Sequence, residues 1–255
     1  MVEIKTLAEI EAMREAGRVV ARALQAIVKH AAVGVRVDEL DELAATIIAE
    51  AGATPAFLGY QPHFAPTPYP AVICASINDV IVHGIPDRYR LKDGDLVSID
   101  CGAYLDGWAG DSAVSFVVGL PRARDVALIE ATQEALRAGI AAMRPGNRMG
   151  DIGHAISSVA VAGGYGVPID FGGHGIGRKM HEDPHVANQG RPGRGLVLRT
   201  GLVLAIEPMF TAGGDGRYLT AADGWALRTV DGSRASHSEH TVAITDDGPV
   251  ILTAV

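Results

Sequence analysis

The chain has 255 residues, 48% of them hydrophobic, and a formal net charge of −8. That length accommodates one large domain or two small ones with a sizeable core, and the acidic balance argues against broad electrostatic binding to nucleic acid or anionic membranes. No apolar run approaches the roughly 18 residues of a membrane span, and Cys74 and Cys101 are too few for a disulfide framework and suit a reducing compartment.

Thr6 and Glu9 are spaced as a capping box, and Ile10, Met13, Gly17, Val20, Leu24 and Ile27 follow at helical spacing, which predicts a first helix. A second helix is predicted from about Asp38, a candidate N-cap, through Leu40, Leu43, Ile47 and Ile48 to Gly52. TPAFLGYQPHFAPTPYP carries five prolines and reads as a loop over the surface or a pocket wall. Strands are expected at AVICASI, at VIVHG and in a hairpin around residues 96–118. Two more helices are predicted, Arg124 to Met143, stopped by Pro145-Gly146, and Met149 to Gly163, ending in Gly163-Gly164. Loop and strand follow at FGGHGIG, LVLAIEPMF, WALRT, SEHTVAIT and PVILT. Strands joined by short turns favour an α+β layout, a largely antiparallel sheet with helices on one face.

VSIDCGAYLDGWAGDSAVSF, residues 97–116, places Asp100 and Asp111 where half-buried strands ordinarily carry Val or Ile. A carboxylate in that setting costs roughly several kcal/mol unless its charge is compensated. A two-residue loop centred on Leu105-Asp106 or Asp106-Gly107 puts both acids on one face within side-chain reach; a three-residue loop or a bulge breaks that parity. At such separation two like charges repel unless a proton or a cation lies between them. The plainer alternative is a pair of solvated aspartates beside a turn.

Glu207 in LVLAIEPMF, Glu239 before HTVAIT and His174 in FGGHGIG stand in equally apolar or glycine-rich settings. Each alone is commonly structural. Together the four carboxylates and one imidazole carry more negative charge than one divalent ion needs. Carboxylates bridging two ions would neutralise it, an arrangement that activates water between metals roughly 3.5–4 Å apart.

Two apparent motifs are set aside. HEDPH, His181 to His185, matches H-E-x-x-H literally, but that pattern works on one helix face and Pro184 would break the helix. GGHGIG has G-x-G-x-G spacing, and no P-loop lysine motif accompanies it, so neither supports a nucleotide site.

The blocks INDVIVHGIP, SIDCGAYLDGWAGDSA, GGHGIGRKMHEDPHV, LAIEPMF and SEHTVAIT resemble, in order and across essentially the whole chain, those of type I methionine aminopeptidases. The resemblance implies the pita-bread α+β fold: two pseudo-symmetric halves, a curved and largely antiparallel sheet, helices on the outer face and a central site. Residues 1–255 would form a single catalytic metallopeptidase domain. It also implies that Asp100, Asp111, His174, Glu207 and Glu239 hold two divalent ions, with Asp111 and Glu239 bridging. Glu207 is then the base that takes a proton from the bridging water, and His83 and His181 are catalytic and substrate-binding histidines outside the ligand set. Tyr69, Cys74, Met180 and Trp225 are the candidates for the methionine side-chain pocket, since an aromatic and sulfur-lined slot suits a thioether.

The implied activity is removal of the initiator methionine from nascent chains whose second residue is small. The implied setting is a cytoplasmic monomer with transient ribosome contact, no nucleic-acid cofactor and no membrane association. Four oxygen donors and one nitrogen leave the ions open among Co, Mn, Fe(II) and Zn. Three positions depart from the better-known bacterial pattern. Thr67 replaces a histidine before the Tyr-Pro of the loop, Met180 an aromatic residue, and His237-Ser238 a glutamine and an aromatic residue before Glu239. Two alternatives stand beside this reading. One is a proline-specific peptidase of the same fold, whose relatives carry a large extra N-terminal domain; the other is a catalytically dead binding module, which would have lost ligands that are all present here.

Overall fold

In the computed structural model, which describes residues 2–62 and 65–254, helix α1 (Leu7–His30) starts at the expected capping box. The Glu9 N–H donates to Thr6 Oγ1 at 3.3 Å and the Thr6 N–H donates to the Glu9 carboxylate at 2.8 Å. Its buried stripe includes Ile10, Met13, Gly17, Val20, Leu24 and Ile27, the period read from the sequence. Helix α2 spans Val37–Glu50, so Asp38 lies inside its first turn and Arg36 takes the cap position. No side-chain cap is needed there, because Val37 and Asp38 donate their N–H groups to the carbonyls of Tyr89 and Asp87, each at 2.9 Å.

The proline-rich segment contributes the short strand β1 (Thr54–Pro55), and its residues 63–64 lie outside the described residues. Strands β2 (Ile73–Ile77) and β3 (Val80–Val82) precede the long hairpin of β4 (Leu96–Leu105) and β5 (Trp108–Val117). Helices α3 (Ala123–Ala141) and α4 (Met149–Gly163) follow, the latter closed by Gly164 at φ 70°. The remaining chain forms β6 (Gly172–Gly175), β7 (Glu182–Ala187), β8 (Val203–Ile206), β9 (Met209–Thr211) and β10 (Tyr218–Thr220). It ends with β11 (Leu227–Thr229), β12 (Ala235–His237), β13 (Glu239–Thr245) and β14 (Gly248–Ile251). Strands β1, β7, β10 and β12 are not anticipated above. In β7 the charges and Pro184 hide the strand pattern, and Asp183 and His185 are exposed.

The main sheet runs β1-β4-β5-β13-β8-β6-β7, with β14 on β13 and β2 on β4, and each of these pairings is antiparallel. Val20 and Leu24 of α1 and Leu40 and Ile48 of α2 bury against Ile73, Val97 and Ile99. Leu128 and Leu136 of α3 and Ile152 and Ile156 of α4 bury against Leu204, Ile206, Val242 and Ile244. Each half of the sheet is thus backed by its own pair of helices, and the opposite face is left for the site. Beneath that face, Asp106 (φ 51°) and Gly107 (φ 75°) form the two-residue turn between Leu105 and Trp108. Positive φ at both positions is the geometry that matches strand twist in a tight hairpin.

Candidate metal centre

The turn decides how the two hairpin aspartates face each other. Asp100 stands opposite Ala113 and Asp111 opposite Gly102, so the two are diagonal neighbours on one face, the condition set by a two-residue loop. Ala113 is also in register with Glu239 of β13, which brings Asp100, Ala113 and Glu239 into one line across three strands. His174 of β6 pairs with Ala205 of β8, and the residue after the end of that strand is Glu207. All five sequence-derived ligand candidates therefore converge.

His174 Nε2 lies 3.7 Å from Asp111 Oδ2 and 3.6 Å from Glu207 Oε1. Asp111, His174 and Glu239 each offer a ligand atom, and these atoms all lie within 4.8 Å of one another. His174 Nδ1 donates to the Gly175 carbonyl at 2.9 Å, which leaves the Nε2 lone pair facing the carboxylates. Asp100 Oδ1, Asp111 Oδ1 and Glu239 Oε1 are buried without a hydrogen-bond partner among the described residues. Buried polar atoms are ordinarily satisfied; these three residues line one cavity, where a divalent cation would satisfy them. The donor set fits such an ion in both charge and chemistry.

The electrostatics say the same. Burial raises the Asp100 carboxyl to about 7. Burial, then the charges of Glu239 and Asp100, pushes Asp111 well up, and burial followed by neighbouring carboxylates does so for Glu207 and Glu239. Without a cation these acids are harder to ionise than free carboxylates; a bound cation would favour their ionised, ligating form. Burial pulls the His174 and His237 imidazoles down to about 3 and His83 down to about 4, so all three rings are neutral near pH 7.

The acids form the floor of a cavity of about 310 Å³. His83 and His181 both line it. His83 sits at φ 61° after β3, its ring edge-on to Phe171 and Trp225 at 5.7 and 6.2 Å. His181 stacks on Tyr60 at 5.1 Å and lies 4.1 Å from the His174 ring. Tyr69, Cys74 and Trp225 line the same cavity, with the Tyr69 and Trp225 rings 4.9 Å apart. The Trp225 indole N–H donates to the Thr67 carbonyl at 3.1 Å, so the Thr67 position braces a cavity wall through its backbone.

Met180 is placed otherwise. It is buried, its N–H donates to the Tyr104 hydroxyl at 2.7 Å, and its methyl lies over Gly102 beside Phe57. It packs behind the wall, where the missing Cβ of Gly102 leaves room, and Phe57 takes the exposed position in the cavity. Phe57, Tyr60, Phe171 and His185 also line the cavity and were not singled out from the sequence. The aromatic residues of the proline-rich loop and the Phe immediately before GGHG were the available signals.

The sequence profile of metallopeptidase family M24 matches residues 11–246. The chain belongs to metallopeptidase family M24. Within that family its near relatives are methionine aminopeptidases. The chain is 54% identical to methionine aminopeptidase 1 of Mycobacterium tuberculosis over 98% of its length and 94% of the relative. The crystal structure of methionine aminopeptidase from Thermotoga maritima superposes with a TM-score of 0.95 at 42% identity, over all of both chains. A prolidase from Pyrococcus horikoshii shares the fold, with a TM-score of 0.79 at 23% identity, but this chain covers only 63% of it. The protein is accordingly a metal-dependent hydrolase with the pita-bread fold.

Proposed function

We propose that this protein removes the N-terminal methionine from nascent polypeptides whose second residue is small. The observation that carries the reading is the convergence of the Asp111, His174 and Glu239 ligand atoms within 4.8 Å of one another, beside an aromatic- and sulfur-lined cavity of about 310 Å³. That volume suits one apolar side chain with its backbone, and Tyr69, Cys74, Trp225 and Phe57 would hold the thioether. The whole chain acts as one catalytic domain, a cytoplasmic monomer that meets the ribosome transiently.

Asp100, Asp111, His174, Glu207 and Glu239 would hold two divalent ions of the Mn, Fe(II), Co or Zn kind. Such ions, when bound, supply Lewis acidity toward the scissile carbonyl and lower the pKa of water. Glu207 accepts the proton of the attacking water. His83 and His181 face the cavity with neutral rings and donate N–H groups to the developing oxyanion and the scissile amide, a contribution of about 2.7–4 kcal/mol per well-aimed donor. The buried acids would receive the substrate's free α-amine beside the ions, which restricts cleavage to the chain end.

The deciding experiment is release of methionine from a Met-Gly-x peptide after chelation and dialysis. Activity is lost and returns with added divalent ion; full activity in excess chelator overturns the reading. A peptide panel separates the alternatives, with turnover of Met-Ala-x expected and preference for x-Pro the contrary result.

A further inference from the structure

His237 aims at the same floor from a strand outside the proposed ligand set. It ends β12, is 2% exposed, and its Nε2 lies 3.9 Å from Glu207 Oε2 and 3.8 Å from Glu239 Oε2. That Nε2 is buried without a hydrogen-bond partner among the described residues. The Glu207 carboxylate therefore stands between two imidazoles, Oε1 toward His174 and Oε2 toward His237.

The backbone beneath the ring is pinned. The His237 N–H is shared between Ser115 Oγ at 3.1 Å and Ser98 Oγ at 3.3 Å, and the Ser115 hydroxyl donates to the His237 carbonyl at 2.7 Å. Ser98 and Ser115 face each other across the β4–β5 hairpin that carries Asp100 and Asp111. One hairpin thus sets the positions of both aspartates and of the His237 ring. Once Glu207 and Glu239 are ionised around an ion, the tautomer that suits this place carries its proton on Nε2, where the ring becomes a donor to both.

Building on the metal-centre reading, we propose that His237 is a positioning residue for that centre. Its Nε2–H faces Glu207 and Glu239 at 3.9 and 3.8 Å and would close on them in the loaded centre, restraining both side chains so that their remaining lone pairs face the ions. Donors behind ligating carboxylates act in this way, and their loss typically weakens metal binding by about 10–100-fold.

The test is calorimetric titration of the metal-free protein with Mn(II), comparing wild type, His237→Leu and His237→Gln. His237→Leu should bind Mn(II) about 10–100-fold more weakly, while His237→Gln, which keeps a donor of similar reach, stays close to wild type. Metal-free His237→Leu should melt at or above the wild-type temperature, because a buried nitrogen with no hydrogen-bond partner among the described residues has been removed; this separates lost positioning from lost fold. Equal Mn(II) affinity in His237→Leu and wild type overturns the proposal and leaves the metal centre standing. A wild type that takes up no divalent ion overturns the metal centre itself. If His237→Gln is as weak as His237→Leu and the visible spectrum of the Co(II)-loaded protein changes in both, the ring is a ligand and the positioning role is wrong.

Discussion

Asp100 and Glu239 lie on one line across three strands, each in register with Ala113, so two buried carboxylates share a face with a single methyl between them. Nothing in a folding chain favours that arrangement for its own sake, since burial raises both acids and the charges of Glu207 and Asp100 raise Glu239 further. Replacing Asp100 by Asn should therefore raise the melting temperature of the metal-free protein while weakening divalent-ion binding by more than about 100-fold. Thermal melts with chelator and titration calorimetry check the two halves separately. A metal-free variant less stable than wild type would mean that Asp100 serves the fold and not the ion.

The same groups set a pH dependence. A carboxyl protonated in the folded state and ionised in the unfolded chain stabilises the fold at low pH, and that stability is lost as pH rises through the folded-state pKa. The unfolded acids ionise from about pH 4, so Asp100, at about 7 when folded, sheds its share between those values, and Asp111, Glu207 and Glu239, also raised, continue the loss to their own folded-state values. His83, His174 and His237, depressed to about 4, 3 and 3, act in the opposite sense. Their unfolded forms take up protons near 6.5, so they cost stability as pH falls below that value. Metal-free protein should accordingly lose Tm as pH rises beyond about 6.5, where the histidines no longer offset the acids. Saturating Mn(II) should abolish the alkaline loss, and an identical fall with and without the ion would count against the cluster as its source.

Lys5, ahead of α1, makes a 2.5 Å ion pair with Glu182, and both side chains are nearly inaccessible. The Lys5 N–H is itself held by the Gly201 carbonyl at 2.7 Å, and the other Glu182 oxygen accepts the Lys179 N–H at 3.1 Å. The pair therefore ties the chain's first residues to the loop that presents His181. Removing one partner of a buried pair leaves an uncompensated charge, so Lys5→Met should cost about 3–5 kcal/mol. Lys5→Met with Glu182→Leu should recover most of that loss. Denaturant unfolding of the single and double variants measures it, and a double variant as unstable as the single would show that the charge was not the cause.

Much of this was legible in the residues, for identifiable reasons. The α1 stripe and its capping box are local signals, and α4 matched its expected bounds because Gly164 ends it in a left-handed cap. The shared face of Asp100 and Asp111 followed from parity once the turn was two residues long. Convergence of His174 and Glu207 on that hairpin did not follow from spacing, because β6, β8 and β13 meet β5 only through long-range pairing. The fate of Met180 was equally invisible: its place behind the wall depends on Gly102, 78 positions earlier, lacking a Cβ. His237 was noticed only as a departure from a pattern, since its aim toward two glutamates is set by serines on another hairpin.

Glu207 offers the sharpest test of the chemistry. It is positioned just past β8, with Oε1 3.6 Å from His174 and its pKa raised by burial and then by Asp111 and Asp100. Glutamine preserves its shape and one oxygen donor but cannot accept a proton from water. Glu207→Gln should therefore lower kcat by about 10²–10⁴-fold, the usual worth of a general base, with a much smaller change in KM. Steady-state hydrolysis of Met-Gly-x with saturating Mn(II) reads both constants, and calorimetry on the same samples confirms that the ion is bound. A variant that retains wild-type kcat while metal-loaded would place the base elsewhere in the cavity, with His83 and His181 the remaining groups able to take a proton.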